Sequence, residues 1–132
     1  MKKISLLAIL AIALLVSSCK KEEDKQETTQ QEEEVSSFVG RWMTEDGGYY
    51  EVYNDDGTGK FWTPADDVQE EEAQTFTWEM DPSNPKVFIQ YHKMEIGDGI
   101  VPQVCNILKL TETRFVYNNE GLRAEYNLIR VQ

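Results

Sequence analysis

The sequence is poor in the residues that most often bind metals or act as nucleophiles. It contains one histidine, His92, and two cysteines, Cys19 and Cys105, among 132 residues. Zinc sites usually draw on several imidazole or thiolate ligands, so a lone histidine argues against a metal centre. Alternation along its strand predicts that His92 is an outward or rim residue. Since no nucleophile motif surrounds Cys105 or the serines, we predict no metal, no cofactor, no catalytic residue and no enzymatic activity.

Basic residues are also scarce. The chain has 13 Lys and Arg against 24 Asp and Glu, which gives a formal net charge of -11. A surface this acidic repels the phosphates of nucleic acids, so we predict no nucleic-acid partner. With so many acids in the chain, the acidic run 70–72 is expected to be a solvated loop rather than a calcium site or an acid–base pair.

No hydrophobic run is long enough to cross a membrane. The apolar stretch 4–16 is shorter than the about 20 residues that a membrane helix needs. It follows Lys2 and Lys3, and a positive start before a short apolar core is typical of a secretory signal peptide. We therefore interpret residues 1–18 as a signal peptide.

This segment ends in Leu15-Val16-Ser17-Ser18-Cys19, where small residues directly precede a cysteine. The arrangement resembles the lipobox of bacterial lipoproteins. The resemblance implies that Cys19 is lipidated and becomes the first residue after cleavage, and that acyl chains such as palmitate hold the protein at a membrane. The alternative is an ordinary secretory signal with an accidental cysteine. Lipidation of Cys19 would leave Cys105 without a partner for an intramolecular disulfide.

Residues 19–37 are hydrophilic and acidic, with a single aliphatic residue to bury, and we predict a disordered tether. Cys19 is followed by Lys20, whereas an Asp there would resemble the inner-membrane retention signal of enteric bacteria, so the resemblance implies the outer membrane. The run Cys19-Lys20-Lys21-Glu22-Glu23-Asp24 is similar to export signals that send lipoproteins to the cell surface in some anaerobic Gram-negative groups. The expected site is the outer membrane, on the periplasmic or surface-exposed face, with the surface slightly favoured. A plain solvated charge run explains the same residues.

Residues 38–132 are enough for one small domain, and turn signals interrupt them at even spacing. The interruptions are Asp46-Gly47-Gly48, Asn54-Asp55-Asp56-Gly57, the acidic loop 64–72, Asp81-Pro82-Ser83-Asn84-Pro85, Gly97-Asp98-Gly99, Thr111-Glu112-Thr113 and Asn118-Asn119-Glu120-Gly121. They leave eight segments that are rich in β-branched and aromatic residues. No segment has a helical period. The pattern predicts an all-β sandwich or barrel.

One cation breaks the alternation of the last strand. Leu128 continues an apolar face that begins at Leu122, and parity places Arg130 on the same face. A cation there needs a partner or an aromatic ring to stack on. Trp42 in Gly40-Arg41-Trp42 is the candidate.

A Gly-x-Trp in the first strand with a late arginine in the last resembles the lipocalin pattern. With Asp56-Gly57-Thr58-Gly59, Thr77-Trp78 and Leu108-Lys109-Leu110-Thr111, the domain is similar to short lipocalin-like domains of bacterial surface lipoproteins. The resemblance implies a small eight-stranded antiparallel up-and-down β-barrel of the lipocalin-like (calycin) type. Gly40, Trp42 and Arg130 would then close one end of it. Closure also removes the strand edges that recruit other chains.

Aromatic residues are the remaining functional signal. The interior of an eight-stranded barrel is filled by its own side chains or holds one small ligand, and the many rings favour filling. The candidate ligand-lining residues are Tyr50, Trp62, Phe76, Trp78 and Tyr126. Two functions stay open. The first is a non-catalytic envelope lipoprotein whose barrel binds a small hydrophobic ligand, and the second is a packed barrel that contacts an unknown protein or a glycan through acidic loops, especially 64–72.

Overall fold

The computed structural model describes residues 33–132, which form eight antiparallel strands. They are β1 (Gly40–Met43), β2 (Tyr50–Tyr53), β3 (Thr58–Trp62), β4 (Gln74–Asp81), β5 (Asn84–Lys93), β6 (Ile100–Leu110), β7 (Arg114–Asn119) and β8 (Ala124–Arg130). Each strand pairs with the next, and β1 also pairs with β8, so the sheet closes into a barrel. The predicted all-β, eight-stranded up-and-down barrel is confirmed. The predicted signal peptide 1–18, the predicted lipidation residue Cys19 and most of the predicted tether lie outside the described residues.

The acidic loop between β3 and β4 is the longest connection, and it holds two single-turn 3-10 helices, Pro64–Asp66 and Glu70–Glu72. The carboxylate of Glu70 accepts hydrogen bonds from Arg41 at 3.1 Å and from Lys60 at 2.9 Å. These two cations lower the pKa of Glu70 to about 2. The loop is therefore attached to the outside of the barrel. Among residues 33–132, none of the helices has the length and the apolar composition that a membrane crossing requires.

Aromatic rings fill the end of the barrel that holds Phe38, which we call the packed end. The Phe38 ring lies 4.7 Å from Phe88, 4.8 Å from Phe115 and from Trp78, and 4.9 Å from Tyr53, measured between ring centroids. Phe38 itself is buried just before β1. Tilted and edge-on ring pairs of this kind stabilise a core beyond the area that they bury. Phe38 therefore plugs one end of the barrel.

The barrel begins slightly earlier than the sequence predicts. Glu34 forms a β-bridge with Thr111, and the Val35 amide donates to the Leu110 carbonyl at 3.1 Å. Both residues belong to the segment that the sequence assigns to the tether. The unit Glu33–Gln132 has its own core and a sheet closed on itself, which are the properties of a domain that folds on its own.

Strand β5 shows the opposite orientation to the one expected. Val87 and Ile89 face outward, whereas Phe88 is fully buried and His92 pairs with Phe76 on the inner face. Of the two positions expected for His92, outward or at the rim, the outward one is wrong, whereas its half-buried place in the cavity at the end of the barrel agrees with the rim. Both faces of β5 carry apolar residues, so alternation within the strand does not choose between them, and the register with β4 does.

Candidate ligand-binding cavity

The three residues predicted to close the barrel lie together at its packed end. The Arg130 guanidinium stacks over the Trp42 ring, 4.2 Å from its centroid, and donates to the Val39 carbonyl at 3.2 Å. The Trp42 indole N–H donates to the Phe38 carbonyl at 2.8 Å. Gly40 has a φ of +141°, and a Cβ there would lie 2.5 Å from the Arg130 Nη1 atom. A glycine at position 40 therefore lets Arg130 reach across β1.

The opposite end of the barrel contains a cavity of about 300 Å³, which we call the mouth cavity. Its aromatic wall is formed by Tyr49, Phe61, Phe76 and Tyr126. Its polar lining includes Glu51, Gln90, His92, Gln103 and Tyr117. The volume lies at the small end of the range of about 300–1,000 Å³ found for ligand pockets. The barrel is thus filled at one end and hollow at the other.

A buried carboxylate, Glu51, lies at the inner end of the mouth cavity, and only 1% of its surface is exposed. Three tyrosine hydroxyls donate to it. Tyr49 bonds at 2.6 Å and Tyr53 at 2.8 Å, and Tyr117 completes the set. Tyr49 directly precedes β2, and Tyr53 is the last residue of β2. Tyr117 lies on β7 and reaches Glu51 from across the barrel. The three hydroxyls satisfy an acid that would otherwise be very costly to bury.

Burial governs the ionisation of this cluster. Loss of solvent raises the pKa of Glu51, while the hydrogen bonds from Tyr117, Tyr49 and Tyr53 act in the opposite direction. The pKa values of the three tyrosines lie well above their usual range, because they are buried and because Glu51 is negatively charged. The tyrosines therefore remain protonated and act as hydrogen-bond donors.

A line of hydrogen bonds runs from the cavity wall to Glu51. Gln90 donates through Nε2 to the Tyr53 hydroxyl at 2.7 Å, and its Oε1 lies 2.9 Å from Nε2 of His92. Because the Gln90 oxygen can only accept, His92 must carry a proton on Nε2. Burial lowers the pKa of His92, which favours the neutral ring with Nδ1 as an acceptor. Every donor in this line points toward Glu51.

The register places two of the five candidate ligand-lining residues outside the barrel. Glu51 pairs with Phe61 on the inner face, so Tyr50 and its partner Trp62 face outward. Their rings stack at 4.9 Å, and Arg41 covers the Trp62 ring at 4.9 Å. Trp62 is buried by this outer cluster and not by the barrel interior. Tyr50 and Trp62 therefore do not line the mouth cavity.

The other three candidates face inward but do not share one place. Phe76 and Tyr126 line the mouth cavity, whereas Trp78 packs on Phe38 at the packed end. The residues that give the cavity its polarity, above all Glu51 and His92, were not predicted from the sequence. A signal was present for Glu51, since it alternates with Tyr49 and Tyr53 and so shares their face.

A second recess lies on the outer face of β2 to β5, which we call the outer groove, with a volume of about 600 Å³. Val52, Thr75, Thr77 and Ile100 contribute to its lining. Its volume is twice that of the mouth cavity. The three tyrosines that donate hydrogen bonds to Glu51 do not line it. The outer groove is the competing location for a bound molecule.

The thiol of Cys105 is expected to be unreactive. Its side chain is fully buried, and burial, with smaller contributions from Glu51 and Glu120, raises the pKa of the thiol to about 12. The thiolate is the reactive form of cysteine, so a thiol with this pKa is a poor nucleophile. Cys105 serves as a small core residue opposite Phe88.

Across residues 33–132, no group of three or more His, Cys, Asp or Glu side chains is placed to bind a metal ion. No family model matches the sequence, and neither curated proteins nor solved structures match it significantly.

Proposed function

We propose that this protein is a non-catalytic lipoprotein of the cell envelope whose barrel binds one small amphipathic ligand in the mouth cavity. The observation that carries the ligand proposal is the cavity of about 300 Å³ inside a barrel that is otherwise filled by aromatic rings. The motif at Cys19 supports attachment to the outer membrane through a lipid. The acidic composition argues against a nucleic-acid partner.

The cavity combines the two kinds of surface that an amphipathic ligand needs. Its rings supply apolar contact, with Tyr49 5.4 Å from Tyr126 and Phe61 6.3 Å from Phe76 between centroids. Glu51 and its tyrosine partners supply polar contact at the inner end. Ligand pockets typically have mostly apolar walls and a few placed polar groups that fix orientation. A ligand with an apolar body near the mouth and a polar group near Glu51 would make both the apolar and the polar contacts.

The rim of the mouth cavity offers an apolar path of entry. Leu122 and Val101 line the cavity and are 55% and 41% exposed. Met94 and Ile96, on the loop that joins β5 to β6, are also exposed. Exposed apolar side chains at the opening of a cavity are expected where an apolar molecule enters.

A second candidate function is an interaction module that contacts a protein or a glycan through the outer face of the barrel. The outer groove favours it, because this groove places apolar residues beside Lys60 and Lys93 on an otherwise acidic protein. The predicted contact loop 64–72 is held beside this region through Glu70. This function does not require the mouth cavity.

The first function predicts that 1-octanol binds residues 33–132 saturably, with one molecule per barrel, and that Val101→Trp weakens binding at least about tenfold. Val101 lines the mouth cavity, so an indole there would occupy the space that the ligand needs. A loss of several buried methylenes of contact, at about 0.8 kcal/mol each, is enough for that effect. Isothermal titration calorimetry measures both the affinity and the stoichiometry.

The matched control is Val104→Trp, since Val104 lies on the same strand but pairs with Ile89 on the outer face. This variant should bind octanol as the original protein does. Equal affinity in the original protein and Val101→Trp, or no saturable binding in the original protein, would contradict the proposal.

A further inference from the structure

We propose that the ligand of the mouth cavity is an organic cation, an amine with an apolar body, and that its ammonium group pairs with Glu51. This inference rests on the proposed function and names the chemical class of the ligand. It excludes the fatty acids and other anionic amphiphiles that an apolar cavity would otherwise accept.

The hydrogen-bond polarity of the cavity is the first argument. The hydroxyl protons of Tyr49, Tyr53 and Tyr117 are all directed to Glu51. Each phenol has only one proton, so Tyr49 and Tyr117 present acceptor lone pairs to a ligand. The Nδ1 atom of His92 is an acceptor as well. A group rich in donors fits the inner end of the cavity, where these acceptors surround Glu51, and a primary ammonium carries three N–H donors. Among the other lining residues, Gln103 and Lys93 carry donors of their own.

Electrostatics is the second argument. In the described part of the chain, the ion pairs involve Glu34, Glu45 and Glu70, and no Lys or Arg pairs with Glu51. A fully buried glutamate that is hydrogen-bonded but lacks a cationic partner is unusual, because buried acidic residues are normally paired. The charged groups at the mouth, Lys93 and Glu95, have opposite signs. Glu51 therefore has no cationic partner among the described residues, and a ligand ammonium group would supply one.

The aromatic wall is the third argument. The rings of Tyr49, Phe61, Phe76 and Tyr126 line the cavity around the route to Glu51. Aromatic faces attract cations, and pockets that bind organic ammonium groups are typically built from several such rings. A ligand carboxylate would meet the negative ring faces, the acceptor lone pairs of the tyrosines and the carboxyl oxygens of Glu51 together.

The test compares three ligands of equal chain length, octylamine, 1-octanol and octanoate, by titration calorimetry at neutral pH with residues 33–132. We expect octylamine to bind at least about tenfold more tightly than octanol, and octanoate at least about tenfold more weakly, because charge-assisted hydrogen bonds are stronger than neutral ones. In Glu51→Gln the preference for the amine should disappear. The control is Glu79→Gln, which changes an outer carboxylate that accepts from Tyr91 at 2.7 Å.

The outcomes separate this inference from the proposed function. If the three ligands bind alike, or octanoate binds best, the inference is wrong and the ligand-binding barrel stands. A preference for the amine that survives in Glu51→Gln also overturns it. If none of the three binds, both the inference and the proposed function fail. The ranking in the original protein decides the question even if Glu51→Gln does not fold.

Discussion

Trp42→Ala is expected to lower the free energy of unfolding of the barrel by about 3–5 kcal/mol, as for other large aromatic residues removed from a core. Trp42 is fully buried, and its ring packs on Phe115 at 5.4 Å and lies under Arg130. The substitution also removes the indole bond to Phe38 and leaves Arg130 without a ring to stack on. Urea denaturation of residues 33–132 measures the change.

Trp62→Ala is the matched control, because Trp62 is nearly as buried but lies on the outer face between Tyr50 and Arg41. Its loss removes contacts from one side of the sheet only, so the cost should be clearly smaller. Equal destabilisation by the two substitutions would mean that the packed end is not the main core of the barrel.

Glu51→Gln is expected to become more stable relative to the original protein as the pH rises. The pKa of Glu51 is higher in the folded protein than the usual glutamate value near 4.5. Between the unfolded and the folded pKa, the folded state binds more protons, so stability falls as the pH rises through that window. The effect is about 1.4 kcal/mol for each unit by which the two pKa values differ. The glutamine variant lacks this proton linkage.

The measurement is the free energy of unfolding of both proteins at a series of pH values from about 4 to 8. Glu79→Gln should track the original protein, since Glu79 is exposed on the outer face. A difference between Glu51→Gln and the original protein that stays constant with pH would contradict the assignment of Glu51 as a buried acid.

The fold was predictable because its signals are local. Turn residues such as Asn54 and Gly57 mark the strand ends, and Arg130 at an apolar parity position points to a stacking partner. Closure then follows from the need to pair the first and last strands. Orientation was harder to predict. In β5, Phe88 and Ile89 are equally suited to the interior, and only pairing with β4 places Phe88 and His92 inside.

Alternation places Glu51 on the same face as Tyr49 and Tyr53, but it does not show that this face lines the interior of the barrel. On β2, the set of Tyr50 and Val52 is more hydrophobic than the set of Glu51 and Tyr53, so composition favours the wrong face. Glu51 is stabilised in its buried position because Tyr117, which is distant in sequence, donates a hydrogen bond to it across the barrel. A contact between β2 and β7 is a property of the closed sheet, and a single strand does not encode it.

The most direct test of ligand binding in the mouth cavity is to locate a bound octylamine on residues 33–132 by intermolecular nuclear Overhauser effects. Binding in the mouth cavity predicts contacts between the octyl protons and the rings of Phe61 and Tyr126. Contacts with Val52 and Thr75 in the outer groove, and none in the barrel interior, would contradict it and favour the interaction module.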